Sequence, residues 1–285
     1  MAMVLGRRWK KWLYLYLPLG AILIGTLFPF YWMGLTAFRP DRDLYVPWNK
    51  PNFNPFWTLR PTLEHLAFLF KETLFARWLL NTLFIALLST GISLFCGLLA
   101  GYAIARLRFP LAGPLGTWIF VTYLVPPTLL FIPLGEVVRT FHLGDTPWAL
   151  ILTYPTFLIP FCTWLLMGYF RTIPKELEEC AQIDGASRLQ AMVHIVFPLA
   201  VPGILSAGIF AFTLSWNEFL YALVFISSVS HKTVPVGVVS ELVRGDTFFW
   251  GSLMAGALMG SVPVAFIYSF FVEHYVSALT GAVKG

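Results

Sequence analysis

Hydrophobic positions along the chain gather into six near-continuous blocks, near Leu13–Phe38, Leu74–Ala105, Leu111–Val138, Trp148–Phe170, Leu199–Ile226 and Phe248–Val272. Each is long enough, as a helix, to cross a hydrocarbon core about 30 Å thick, which takes about 20 apolar residues. Lipid offers no hydrogen-bond partner to the backbone, so each crossing segment must satisfy its own peptide groups as a helix. The pattern predicts an all-α polytopic membrane protein. Its six transmembrane helices occupy residues 13–278, between an N-terminal segment (1–12) and a short C-terminal tail (279–285). Composition agrees: 58% of the 285 residues are hydrophobic and 12% are charged, about half the charge of a soluble domain.

Charge sets the orientation. Arg7, Arg8, Lys10 and Lys11 precede the first block. No small-residue cleavage site follows a short apolar core there, so the segment reads as retained rather than as a signal peptide. The positive-inside rule places this cluster in the cytoplasm, and six crossings return the C-terminus to the same side. The loops carrying Arg106 and Arg108, and Arg171, Lys175 and Arg188, are then cytoplasmic. The loop Arg39–Lys71, the turn at Gly144 and the loop Ser227–Thr247 lie outside. The net charge of +5 sits largely on span flanks and gives no sign of a nucleic-acid partner. Cys96, Cys162 and Cys180 are scattered, with neither a disulfide framework nor zinc spacing, and no metal site is expected. In the first external loop, Tyr45, Trp48, Phe53, Phe56 and Trp57 suit the membrane–water boundary, either as interfacial packing or as substrate contacts. Thr62 predicts a cap for a short surface helix through His65 and Leu66.

The polar stretch Arg171–Gly203 reads as two short helices. Pro174 suits a first turn, Glu176, Glu178 and Glu179 favour the positive end of the helix dipole, and Gly185 supplies a left-handed terminator. Ser187 and Gln190 have capping-box spacing for a second helix, whose apolar face is Leu189, Met192, Val193 and Val196. Pro198 and Pro202 mark its junction with the next span. An acidic arm joined to an apolar one is a docking element.

Small residues recur every fourth position at Ser89, Ser93, Gly97, Gly101 and Ala105, and again at Gly203, Ala207, Ala211 and Ser215. Ser252, Gly256 and Gly260 repeat the pattern. Such ridges let helices approach closely in lipid, within a bundle or against a second subunit. Pro126, Pro127, Pro133, Pro155 and Pro160 bend or break the third and fourth spans. Glu218, about 28 Å beyond Leu199 at about 1.5 Å per residue, either lines a pathway or sits hydrated at the outer boundary, and Asn217 shares that choice.

Glu179-Cys180-Ala181, Gly185 and Ile195-Val196-Phe197-Pro198 together resemble the EAA loop of ABC importer permeases, with Cys180 in place of an Ala and Phe197 in place of a Leu. Asn81-Thr82, Gly101-Tyr102-Ala103-Ile104-Ala105-Arg106, Ile209-Phe210, Trp216-Asn217-Glu218-Phe219 and Gly281–Gly285 extend the likeness from Leu74 to the end of the chain. Together they resemble the MalG-type permease subunit of carbohydrate (maltose-type) ABC importers. The resemblance implies a type I ABC importer permease fold (MetI-like) in the inner membrane of a prokaryote, with both termini cytoplasmic. It implies a MalF-like second permease, two ABC ATPase subunits and an extracytoplasmic sugar-binding protein as partners, with ATP and Mg held by the ATPases and no cofactor in this chain. Within the loop 171–198, Glu179, Ala181, Asp184, Gly185, Ala186, Ser187, Met192 and Pro198 would dock an ATPase. Lys284 and Gly285 would reach the same subunits, and Trp216, Asn217, Glu218, Phe219 and Tyr221 are candidates for the sugar pathway.

The residues fit that division of labour. The chain has no GxxxxGK[ST] phosphate loop, no Ser–His–Asp or Cys–His set and no paired carboxylates in a span, so it reads as a non-catalytic subunit moved by partners. A contact at the loop need only bias an inward/outward equilibrium. A polyol or glycerol phosphate ester is the alternative cargo. An ion-coupled secondary transporter is the alternative class, although it would place ionisable groups at mid-membrane. A membrane enzyme or a receptor finds no supporting constellation.

Overall fold

The computed structural model describes residues 9, 11–46, 54–244 and 247–281, and at 244 and 272–281 the backbone only. Helix α1 (Leu17–Ala37) is entered through a π turn at Trp12–Tyr16, and is followed by α2 (Asp41–Leu44) and α3 (Glu64–Glu72). Then come α4 (Phe75–Arg106), α5 (Ala112–Leu124), α6 (Pro127–Thr140), α7 (Pro147–Thr153), α8 (Pro155–Thr172) and α9 (Glu176–Ile183). Helix α10 (Arg188–Ala191) leads through a π segment, Met192–Val196, into α11 (Phe197–Trp216). The chain continues with α12 (Leu220–Phe225), α13 (Val234–Leu242), a two-stranded hairpin of β1 (Val243–Arg244) and β2 (Thr247–Phe248), and α14 (Trp250–Gly281). Two compact units result, Met1–Phe75 with Val238–Ser261, and Ala76–Gly237 with Val262–Gly285.

Among the described residues five helical segments are long and apolar enough to cross a membrane, and a sixth arises if α5 and α6 count as one bent span. The apolar window of α1 is wholly unburied, which in lipid carries no hydrophobic penalty. The windows of α4, α7–α8 and α10–α11 are 33%, 50% and 39% buried, so these three form the interior.

Three spans differ from the sequence expectation. The third is not one rod: α5 and α6 meet at 93°. Val125 is extended (ψ 122°), as a residue before proline is driven to be, and Pro127 starts the next helix without needing an N–H partner. The helix of the fifth span begins not at Leu199 but at Arg188, because the chain stays helical through the π segment and past Pro198 and Pro202. It ends at Trp216, and the residues expected to continue it form the separate helix α12. The helix of the sixth span runs on to Gly281, into the segment expected to be tail.

In the larger unit the small-residue ridges face inward. A Cβ on Gly97 would lie 2.6 Å from the Cβ of Cys162, and one on Gly101 would lie 3.0 Å from the backbone nitrogen of Met167, so glycine is what lets α4 and α8 approach backbone to backbone. Gly203 of α11 faces the Tyr169 ring in the same manner. Ser215 of α11 and Ser89 of α4 share a 2.8 Å hydrogen bond between buried hydroxyls.

In the smaller unit, buried Arg39 donates to the carbonyls of Asn54 (2.8 Å) and Trp57 (3.1 Å). His65 is buried rather than on the surface, and its Nε2 donates to the Arg39 carbonyl at 2.8 Å. Thr62 accepts the Glu64 N–H (3.2 Å) from one residue ahead of the N-cap of α3.

Candidate functional site

The polar loop folds into a tight elbow whose two halves are closed by local hydrogen bonds. Helix α9 opens with Glu176, Glu178 and Glu179 in its first turn, with Pro174 two residues before it rather than inside. At its end the Ala186 N–H bonds to the Ala181 carbonyl (2.9 Å) and the Gly185 N–H to the Gln182 carbonyl (3.1 Å). This is the paired 6→1 and 5→2 pattern of a Schellman motif, which requires a left-handed residue between them. Gly185, at φ +93°, is that residue. Two positions later Ser187 accepts the Gln190 N–H while the Gln190 side chain accepts the Ser187 N–H at 2.8 Å, a complete capping box. One helix is thus terminated and another started within four residues, with the capping groups of both partnered.

Of the residues expected to dock a partner, Glu179, Asp184, Gly185, Ser187 and Pro198 are exposed, Ala181 and Ala186 are half-buried, and Met192 is buried in the core. The apolar stripe of the second arm divides: Met192 and Val196 pack inward, whereas Val193 is exposed and Leu189 is 66% exposed. Across the turn Ile183 is 85% exposed. Two large aliphatic side chains therefore flank Gly185 on the outer surface: Leu189, from the apolar stripe read in the sequence, and Ile183, which that reading did not name.

Sequence reasoning grouped Glu178 with Glu176 and Glu179 at the start of the helix and missed its burial and its partners. Glu178 lies on the inward side of α9, 8% exposed, with its Oε1 3.0 Å from Nε of Arg106 at the end of α4. That contact is a close charge pair rather than an aligned hydrogen bond. The aligned bonds are the Tyr102 hydroxyl donating to Glu178 Oε2 (3.0 Å) and Arg106 Nη2 donating to the Ile173 carbonyl (2.6 Å). Beside the pair lies a polar recess of about 210 Å³, bordered also by Arg108, Lys175, Glu179 and Arg188.

The pathway candidates are not brought onto one surface. Trp216 packs against Phe212 and Ala86, and the buried Tyr221 donates to the Pro127 carbonyl (3.0 Å). Asn217 and Phe219 are exposed. Glu218 is half-buried, and its carboxylate accepts the N–H groups of Tyr221 (2.8 Å) and Ala222 (3.2 Å) and the Tyr154 hydroxyl (2.9 Å). It caps α12 and ties it to the start of α8. Lys284 and Gly285 lie outside the described residues. A further tie joins loops in the same unit. Asp145 accepts the N–H groups of Ser227 (3.0 Å) and Ser228 (2.8 Å) and the Ser228 hydroxyl. Those bonds, with Ser228 foremost, hold its carboxyl below the usual range.

These features define a multi-pass helical membrane protein that presents a preformed elbow between two spans. The fold is that of importer permeases. A crystal structure of a bacterial ABC transporter involved in the import of the acidic polysaccharide alginate superposes with a TM-score of 0.76 over 90% of this chain and 94% of that one, at 18% identity. The model for the family described as binding-protein-dependent transport system inner membrane component matches residues 93–280, and the chain belongs to that family. It is accordingly an inner-membrane transport component, as the sequence motifs implied. Among its relatives, the inner membrane ABC transporter permease protein YcjP of Escherichia coli is 35% identical over 276 residues, 95% of each chain. The sulfoquinovosyl glycerol transport system permease protein SmoH of Agrobacterium fabrum is 36% identical over 93% of this chain and 91% of that one. The trehalose/maltose transport system permease protein MalG of Thermococcus litoralis is 35% identical, with 94% and 96% covered.

Proposed function

We propose that this chain is one permease subunit of an ATP-driven importer for a sugar or sugar conjugate, with the elbow at Gly185 on the cytoplasmic side as the docking point for an ATPase subunit. The observation that carries the reading is the elbow itself. Ile183 and Leu189 stand exposed around a turn closed by its own hydrogen bonds, with Glu179 and Asp184 beside them. Apolar anchors ringed by charge are the composition of a docking surface. Sugar as the cargo is supported by relatives whose names specify a sulfoquinovosyl glycerol, trehalose or maltose, and diacetylchitobiose. In this reading ATP and Mg are bound by separate subunits, a second permease completes the pathway, and an extracytoplasmic binding protein delivers the substrate.

The test is reconstitution of the complex in proteoliposomes, with hydrolysis and uptake followed together. Uptake of a candidate disaccharide should require both ATP and the binding protein. Ile183→Asp with Leu189→Asp should abolish copurification of the ATPase while the permease remains in the membrane. Full ATPase recovery with that double variant would refute docking at the elbow.

A further inference from the structure

Glu178 is the single buried residue of α9 among the described residues. Leu177, Cys180 and Ile183, which could have anchored the helix through apolar contact, are exposed. What holds α9 to the bundle is therefore polar. Tyr102 and Arg106 stand four residues apart on one face of α4, and both engage the Glu178 carboxylate. The Arg106 side chain is 97% buried, and its aligned bond goes to the Ile173 carbonyl, at the hinge between α8 and α9. One guanidinium thus fastens both the helix and its hinge to the end of α4. The other arm is continuous with its span: α10 runs unbroken through the π segment, whose Met192 and Val196 are buried, into α11.

We infer that Glu178, through Arg106 and Tyr102, is the positioning residue that transmits movement of the elbow to the second span, while α10 transmits it to the fifth. The inference rests on the docking reading above. Glu179, exposed on the same helix, faces the partner, whereas Glu178 faces the protein. Neutralising Glu178 should leave the docking face intact and let α9 move without α4. Hydrolysis would then continue while uptake falls.

The experiment uses the whole reconstituted complex and compares wild type, Glu178→Gln and Arg106→Gln. It reads copurification of the ATPase, hydrolysis stimulated by the binding protein, and substrate imported per ATP. Expected are an assembled complex with retained hydrolysis and imported substrate per ATP lower by a factor within the roughly 5- to 150-fold range of coupling between sites. An unchanged ratio in both variants overturns the inference. Absence of ATPase from the wild-type complex would instead overturn the docking reading, so the two failures are distinct. Should Glu178→Gln or Arg106→Gln fail to accumulate, Tyr102→Phe, which removes one hydroxyl, carries the test. A lowered ratio in that variant supports the link and an unchanged one overturns it.

Discussion

Gly185→Ala is the sharpest perturbation of the elbow, because its cost has one source. No atom lies within 4 Å of where the new Cβ would stand, so crowding contributes nothing. The backbone, however, must hold φ +93°, a region that costs an L-residue about 1–2 kcal/mol. At about 1.4 kcal/mol per factor of ten, the substitution multiplies the local opening equilibrium by about 5 to 30. The groups freed on opening are the Gly185 and Ala186 N–H, now bonded to Gln182 and Ala181. Hydrogen exchange followed by mass spectrometry on the peptide spanning residues 181–190 measures that opening directly. Gly185→Asn should fall between glycine and alanine, since Asn tolerates the left-handed region better than Ala. Gly168→Ala is the control: it also meets open space, but lies inside α8, where alanine favours the helix by up to about 1 kcal/mol. Equal exchange in wild type and Gly185→Ala, or the same acceleration from Gly168→Ala, would refute the claim that a left-handed glycine sets the turn.

Other expectations follow from single contacts. Gly101→Leu forces side-chain atoms against the Met167 backbone, 3.0 Å from the first carbon added. It should lower stability in detergent by about 1–3 kcal/mol, whereas Gly91→Ala, with nothing nearby, should change little. A double-mutant cycle of Ser89→Ala and Ser215→Ala should give a coupling of about 0.6 kcal/mol and at most about 1.7, the average and the maximum for hydrogen bonds between membrane helices, and a coupling of zero would remove that bond from the account. Asp145→Asn should weaken the tie to Ser227 and Ser228, seen as faster proteolysis of the loop 226–232. Its pH dependence has a definite sign. A carboxyl held below its usual value contributes stability that is complete above about pH 3.9 and is lost as pH falls through the lower folded value. The difference between wild type and Asp145→Asn in thermal unfolding should therefore be full at pH 7 and shrink as the pH is lowered from about 3.9 through the folded value.

Local chemistry made the elbow legible and distance hid the rest. A glycine terminator and a Ser–Gln box act within four residues, so their roles can be read without knowing the fold. The break at Val125-Pro126-Pro127 was equally local in cause, but its 93° bend depends on where α6 finds its packing partners. Pro198 and Pro202 misled because proline usually marks a boundary, and a π segment, which has no strong sequence signal, carried the helix through. Spacing put Leu189, Met192, Val193 and Val196 on one apolar stripe, and the structure divides it, with Met192 and Val196 buried and Leu189 and Val193 exposed. Which part of a stripe is covered depends on the path of the neighbouring helices, which spacing does not carry. Glu178 left a partial trace. Tyr102 and Arg106, one turn apart at the end of an apolar span, are donors that require an acceptor when buried. Nothing in the sequence selects Glu178 over Glu176 or Glu179, because the choice is made by the path of α9 back to α4.

The nature of that anchor bears on how the elbow can work. An aliphatic contact tolerates sliding by an ångström with little loss, since burial is non-directional. A carboxylate held by the Tyr102 hydroxyl, beside a guanidinium that is itself bonded to the Ile173 carbonyl, does not, because such bonds weaken steeply with misalignment. Replacing such a pair with apolar residues often leaves a protein as stable or more so, so its value here lies in register rather than in stability. The structure places that register-setting contact on the arm lacking backbone continuity with its span, and omits it from the arm that has it. Both arms are thereby stiff, one through peptide bonds and the other through charge. A displacement imposed at Gly185 must reach α4 and α11 together, and removing the charge alone separates them.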